Sequence, residues 1–311
     1  ARTLDSLYLR PSSYYDDKAI DLLRGINVTS IDAKMHRLSL SDGRQIDYDR
    51  LVWAAGGTPR HLTVSGGNLG GIHVLRTRIE ADAFRVAAEK ADRITIIGGG
   101  YIGLESAAVL AKIGKKVTIV EAADRLLARV AAPPLSEYFA TLHRNHGVTI
   151  HTNAIVSQLH GDEHVSAVQL ADGTTIPTDC VLVGIGIDPA IAPLAAAGAD
   201  CPNGVLVDAY CRTSLRDIYA IGDCAAHYSS YANGALVRLE SVQNANDMAM
   251  TVAKHCAGVD APYHAVPWFW SQQYADKLQT IGLSFGYDDL LIRGEMATGS
   301  FRSEEHTSEL Q

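Results

Sequence analysis

The sequence predicts an α/β chain in which one doubly wound unit occurs twice, and two observations carry that expectation. The first is an internal repeat. Residues 40–56 read LSDGRQIDYDRLVWAAG and residues 170–186 read LADGTTIPTDCVLVGIG, at a constant offset of 130. Leu40/Leu170, Asp42/Asp172, Gly43/Gly173, Ile46/Ile176, Asp49/Asp179 and Gly56/Gly186 are identical. The second is a strand, a glycine-rich loop, a helix and a further strand in immediate succession between residues 93 and 121.

In each copy of the repeat a strand turns at Asp-Gly, the pair that tolerates the positive φ of a tight hairpin, and a β-branched run then ends at glycine. Ahead of the second copy, Arg93 to Ile97 forms a short apolar strand and Gly98-Gly99-Gly100-Tyr101-Ile102-Gly103 fits G-x-G-x-x-G. Leu104 to Ile113 continues as an alanine-rich helix closed by Gly114, and Val117 to Val120 is a strand ending in Glu121. In a dinucleotide-binding fold the glycines let the backbone turn and approach a pyrophosphate, whose charge the helix N-terminus meets. Glu121 stands where a carboxylate accepts ribose hydroxyls. The second copy's glycine loop starts 72 residues before its hairpin leucine, and the same distance before Leu40 falls upstream of Ala1. A fragment lacking the first unit's opening strand, loop and helix is therefore expected.

Between the copies, Thr77 to Lys90 has helical spacing with Ala83, Val86 and Ala87 inward, and Pro134 to His146 repeats the pattern before Gly147. The inserted unit is expected over 71–191. Beyond it, Leu215 to Ala225 (LRDIYAIGDCA) reads as a buried strand ending at Gly222-Asp223 and opening a helix. Val242 to Cys256 is an amphipathic helix with Ala245, Met248, Ala249 and Val252 on one face. Pro262 and Pro267 mark a linker into Trp268-Phe269-Trp270, where a third region starts.

Composition narrows the function classes. Hydrophobic residues make up 47% and charged residues 20%, which fits a soluble globular protein with no membrane span. A net charge of −8 argues against a general nucleic-acid binder. The five cysteines, Cys180, Cys201, Cys211, Cys224 and Cys256, contain no C-x-x-C, so neither a zinc ribbon nor a dithiol redox pair is expected, and a reduced cytoplasmic interior fits. His160 with His164, and His143 with His146, read as solvated turn residues without a third metal ligand.

GGGYIGLE (Gly98 to Glu105), the hairpins LSDGR and LADGT, GIGIDP (Gly184 to Pro189), YAIGDCA (Tyr219 to Ala225), ESVQNA (Glu240 to Ala245) and WFWSQQ (Trp268 to Gln273) together resemble the FAD-dependent ferredoxin reductases of bacterial ring-dioxygenase and P450 systems. The resemblance implies two Rossmann-like dinucleotide-binding domains, a split and incomplete FAD domain (1–70 and 192–261) and a complete inserted NADH domain (71–191). The start of an α+β C-terminal interface domain would follow (262–301). It assigns Asp223, after Gly222, to the ribityl hydroxyls of FAD, Trp270 to the flavin ring, and Ser241 and Val242 to the backbone under the pyrimidine edge. It places Glu105 where nicotinamide meets flavin, paired in the family with a lysine of the preceding segment, and Gly186 among the cofactor-binding positions. Arg238 and Trp268 are expected to help dock an acidic [2Fe–2S] ferredoxin. Ala55, Ala190 and Gln272 depart from the family's usual residues near the flavin edge.

Residues 302–311 (RSEEHTSELQ) lack apolar periodicity and match an in-frame translation of a sequencing-adapter oligonucleotide, so they are set aside from the expected fold. The implied activity carries electrons from NADH through FAD to the ferredoxin. A non-catalytic NADH-binding module, or a reductase for another acceptor such as rubredoxin, is the alternative.

Overall fold

The computed structural model describes residues 7–306. After a short helix α1 (Ser12–Asp17), β1 (Val28–Asp32), β2 (Arg37–Leu40) and β3 (Gln45–Asp47) form an antiparallel sheet, followed by β4 (Leu51–Trp53) and β5 (Gly57–Pro59). The turn between β2 and β3 needs the left-handed backbone that Gly43 supplies at φ 86°, and Gly173 supplies it at 89° in the other copy.

The intervening unit contains β6 (Ile72–Val74), α2 (Arg78–Lys90), β7 (Arg93–Ile97), α3 (Tyr101–Lys112), β8 (Lys116–Val120), α4 (Pro133–Asn145) and β9 (Thr149–His151). The second copy of the repeat then runs through β10 (Val156–Gly161), β11 (Val165–Leu170), β12 (Thr175–Pro177), β13 (Cys180–Val183) and β14 (Ile187–Pro189). The bounds of β3 and β12, and those of β5 and β14, differ by the repeat offset of 130. β5 and β14 pair with each other, Ile187 opposite Pro59 and Pro189 opposite Gly57, where the chain crosses between the two halves.

The inserted unit is built on a five-stranded parallel sheet in the order β6-β13-β7-β8-β9. Its central strands are apolar on both faces because helices cover both sides, and all four residues of β13 are buried. α2 starts at a capping box in which Thr77 and Glu80 satisfy each other's backbone N–H. It buries Phe84 and Ala88, whereas Ala83 and Val86, expected inward, are exposed. The bulkier Phe84 sets the rotation of the helix.

The other half continues with α5 (Ala192–Ala196), β15 (Val205–Leu206), β16 (Ile218–Ala220), β17 (Ala225–Ser229), β18 (Ala235–Val237) and α6 (Val242–Cys256). β4 pairs in parallel with β16 over a core that includes Trp53, Leu194, Val205, Ile218, Met248 and Val252. On α6, Met248 and Val252 are buried with Asn244 and Thr251, while Ala249 is exposed. No helix opens after Gly222-Asp223. A single 3-10 turn, Gly222–Cys224, leads into β17, which is held in strand form by β15 on one edge and β18 on the other. The helix end facing Gly222 belongs to α6.

The third region is two hairpins, β19 (Trp268–Gln273) with β20 (Asp276–Ile281) and β21 (Asp289–Glu295) with β22 (Ser300–His306). β22 takes in residues 302–306 of the segment set aside from the sequence. Arg302 lies opposite Arg293 and His306 opposite Asp289, and Glu304 accepts from Arg293 at 2.9 Å. Backbone pairing and ion pairs, not apolar alternation, hold that strand. Residues 307–311 of the same segment lie outside the described residues. Among the described residues no helix is long and apolar enough to cross a membrane.

Candidate active site

β7 runs into the glycine loop, and packing dictates its composition. Gly98 sits at φ 111°, and a Cβ there would lie 2.3 Å from the Gly184 carbonyl oxygen. A Cβ on Gly103 would lie 2.1 Å from the Gly98 carbonyl oxygen, so α3 could not approach its strand. The N-cap of α3 is Gly100, with no side chain over the helix end. The first N–H groups of α3 and its positive pole are thus left for an anion.

Glu121 closes β8 beside this loop. One oxygen accepts the Gly99 N–H at 2.5 Å and the other the Ala123 N–H at 2.7 Å, which fixes the carboxylate at the lip of the loop. Arg125, four residues further on, is spent on structure: its guanidinium donates to the Ala131 and Ala128 carbonyls and to Ser136 at 2.6–2.9 Å. Gly186 stands at φ 105° just past β13, near the guanidinium groups of Arg60 and Arg129. Ile102 is exposed on the first turn of α3. Tyr101 is half-buried with its ring 4.3 Å from Phe269, and burial, with a smaller push from Glu105, raises its hydroxyl to about 12.

Glu105 lies one turn into α3 and meets the third region. Ser271 of β19 donates to its Oε1 at 2.6 Å. Behind Ser271 are Gln273 and then His143 of α4, with Oε1 of the first 2.8 Å from Nε2 of the second. His143, read from sequence as solvated, has no exposed surface. It faces the hairpin because residues 139, 140 and 143 form the buried face of α4. His146, one turn on, is exposed and stacks on Tyr274 at 3.6 Å.

Asp223 and its neighbours form the second focus. Arg76, in the link from β6 to α2, donates to Asp223 at 2.9 Å and approaches Gly56 so closely that a Cβ there would lie 2.7 Å from its Nη2. Gly222 donates to the Met248 sulfur at 3.3 Å and is packed against Ala245 of α6. Ser241 caps α6 by accepting the Asn244 N–H at 3.1 Å, and Val242, the first helical residue, is exposed. The Trp268 N–H donates to Gln243 at 3.1 Å, and the rings of Trp268 and Trp270 stack at 5.0 Å, with Trp270 the more exposed. Asp223, the start of α6 and the tryptophan pair therefore converge, a set that fits the ribityl and ring end of a flavin: one acceptor for hydroxyls, backbone donors and an aromatic wall. Arg238 does not present a surface cation as expected. Its side chain is 9% exposed and donates to Glu240 at 2.7 Å and to the Asp223 carbonyl at 2.9 Å. This enclosed guanidinium, donating from Nη1 to both groups, ties down the Asp223 turn in place of the exposed cation that was expected.

Arg76, Ser271, Gln273 and His143 were missed in the sequence because their partners lie 147, 166, 130 and 131 residues away in the chain. The five cysteines are all unpaired, and burial raises the Cys180 and Cys211 thiols to about 11 and about 12, so the described residues offer no dithiol for redox chemistry.

One half with a complete glycine-loop site and a second half with a flavin-shaped acceptor set, joined to a small sheet domain, define a flavin- and nicotinamide-dependent oxidoreductase. The chain belongs to the pyridine nucleotide-disulphide oxidoreductase family, whose pattern matches residues 10–249, and a reductase C-terminal domain matches residues 268–304. It is 50% identical over 302 residues to the 5,5'-dehydrodivanillate O-demethylase ferredoxin reductase subunit of Sphingobium sp., covering 96% of this chain and 73% of that protein. It is 42% identical to putidaredoxin reductase of Pseudomonas putida, over 96% of this chain and 72% of that one. The crystal structure of the covalent putidaredoxin reductase–putidaredoxin complex matches with a TM-score of 0.95 at 40% identity, over 99% of this chain and 75% of the other. Within the family the chain is of the ferredoxin-reductase type, whose cofactors are FAD and NAD(P)H.

Proposed function

We propose that the chain is part of a reductase of a [2Fe–2S] ferredoxin in a cytoplasmic oxygenase system, taking NADH in the unit spanning 71–191 and contributing, through 7–70 and 192–261, the ribityl and ring end of an FAD site. The observation that carries the choice of nucleotide is the Glu121 carboxylate, pinned by Gly99 and Ala123 at the lip of the glycine loop. There it accepts ribose hydroxyls and repels a 2′-phosphate. Of the two arginines that follow Glu121, Arg125 is already engaged by three protein oxygens, while Arg129 stands beside Gly186. Bound FAD supplies the two-electron to one-electron conversion between hydride donor and iron–sulfur acceptor.

The residues of this chain bind and orient. The α3 N-terminus and glycine loop take the pyrophosphate of NADH. Glu105 lines the nicotinamide end, Asp223 accepts from the ribityl hydroxyls while Arg76 and Arg238 hold it in place, and Trp270 shields the ring from water. Ser241 and Val242 present the capped end of α6 beneath the ring edge. The ferredoxin partner and the oxygenase setting are supported by the relatives' names and by the complex with putidaredoxin. Comparing dissociation constants for NADH and NADPH tests the nucleotide assignment. NADH should bind at least about tenfold more tightly, a difference of about 1.4 kcal/mol, and Glu121→Ser should narrow the gap. A tighter constant for NADPH with the unaltered protein would remove the assignment.

A further inference from the structure

The third region is tied to the nucleotide-binding half by a buried run of hydrogen bonds whose direction can be worked out from its end. Glu105 accepts only, so the single Ser271 proton goes to its carboxylate, 2.6 Å away. The Ser271 oxygen must then accept from the Gln273 amide nitrogen at 3.2 Å, which turns the Gln273 carbonyl toward His143 at 2.8 Å. That carbonyl requires a proton on His143 Nε2, leaving Nδ1 as the acceptor for the Tyr274 hydroxyl at 3.2 Å. Every donor from Tyr274 to Glu105 thus points the same way, toward one carboxylate.

Ser271 is 1% exposed, and Gln273 and His143 have no exposed surface. Burying three polar side chains is costly unless each is matched, and here each is. An apolar hairpin would pack against α3 and α4 at least as well, so adhesion alone does not explain the chain of polar groups. What it adds is a fixed rotamer for Glu105, the carboxylate one turn beyond the glycine loop that is bonded to the strand carrying Trp268 and Trp270. Burial also pushes His143 below the usual histidine range, in keeping with the neutral tautomer the geometry requires.

We propose that Ser271, Gln273 and His143 are positioning residues that hold Glu105 against the nicotinamide end of bound NADH, so that the β19–β20 hairpin sets the geometry of the reactive half of the nucleotide site. This rests on the reading of the Gly98 loop as the NADH site, and the test separates the two. ADP-ribose carries the adenosine and pyrophosphate of NADH without nicotinamide, so its binding reports the glycine loop alone. By titration calorimetry on the 311-residue chain, Ser271→Ala should weaken NADH about three- to tenfold, the range of one ordinary lost hydrogen bond. ADP-ribose should stay within about twofold of its original constant, since its contacts are untouched. Gln273→Leu, which keeps the volume but removes the relay, should act in the same direction, with near-ultraviolet circular dichroism confirming the fold of each variant. In a Glu105→Ala background, Ser271→Ala should add nothing further. Equal weakening of both ligands, an undiminished effect without Glu105, or unchanged NADH binding in both single variants would overturn the positioning role while leaving the glycine-loop site standing. A parent chain that binds neither ligand would remove that site and this inference with it.

Discussion

β4 and β13 hold the same place in the repeat and live in different surroundings. β13 sits between β6 and β7 and is buried throughout, whereas among the described residues β4 is paired on one edge only, by β16, and Val52 is 42% exposed. The two halves share a hairpin, a strand and a crossover, and among the described residues the strand of the second copy has a parallel neighbour on each edge. Shared sequence therefore fixes local geometry, while burial and ligand chemistry depend on what each strand finds beside it.

The largest expected difference is in ligand binding. α3 is the one helix among the described residues that opens from a G-x-G-x-x-G loop, so among them one nucleotide's pyrophosphate has a loop and a helix end to meet it. Expressed as such, they should bind ADP-ribose one to one and FAD on the order of 100-fold more weakly or worse, because backbone donors and a helix pole for a second pyrophosphate are missing from the set. Stoichiometric flavin after gel filtration would erase this contrast between the halves.

Next in size is the contrast of the paired strands themselves. Leu182 of β13 has no exposed surface and Val52 is its partner in the repeat. Leu182→Ala should cost about 2–5 kcal/mol through lost burial and a residual cavity. Val52→Ala, at a partly solvated site, should stay within about 1 kcal/mol. Urea unfolding of both variants checks the difference, and losses of equal size would mean that β4 is as enclosed as β13.

Much of this comparison was legible in the sequence, and the part that was not has a common cause. The offset of 130 located β3 against β12, and the glycine loop, its flanking strands and the α6 bounds follow from periodicity and caps. The inward face of α2 was misread because alanine spacing was weighed above the single Phe84. A helix was expected to open where the buried strand ends at Gly222-Asp223. β15 and β18 instead recruit that segment as a strand, which is a contact between distant parts of the chain. The burial of His143 and of Arg238 has the same origin: a titratable side chain next to a turn reads as solvated until the element that covers it is known.

A third, smaller contrast concerns Asp179 and Asp49, equivalent in the repeat. Asp49 is exposed, whereas Asp179 accepts from the Arg93 guanidinium at 2.6 Å and from the backbone N–H groups of Asp92 and Arg93. The Arg93 side chain, with those two backbone donors, holds the Asp179 carboxyl down at about 2. Because the folded value lies below the ordinary aspartate value of about 3.9, the stabilisation is present above about pH 4 and is lost as pH falls toward 2. With a third of the side chain exposed, solvent screening limits it to about 1 kcal/mol. Asp179→Asn should lower the urea midpoint at pH 7 and converge with the parent near pH 2. A gap that persists undiminished at pH 2 would trace to the lost backbone contacts and not to the charge.

The smallest effect discriminates between the two helix ends. α6 is capped by Ser241, whose hydroxyl takes the Asn244 N–H, while α3 starts at Gly100 with extended backbone and open space where a side chain would be. A serine at position 100 would meet no steric barrier, and its hydroxyl could take the N–H of Gly103 as Ser241 takes that of Asn244. Gly100→Ser should therefore raise stability by a few tenths of a kcal/mol, the ordinary gain of serine over glycine at an N-cap. The same change should weaken ADP-ribose, because the hydroxyl now competes with phosphate for the helix end. Ser241→Ala should do the reverse to its own half, losing about 1 kcal/mol of stability and leaving ADP-ribose untouched. If Gly100→Ser stabilised the chain and tightened ADP-ribose together, the open end of α3 would not be an anion site, and the functional difference between the halves would have to be sought elsewhere in the loop.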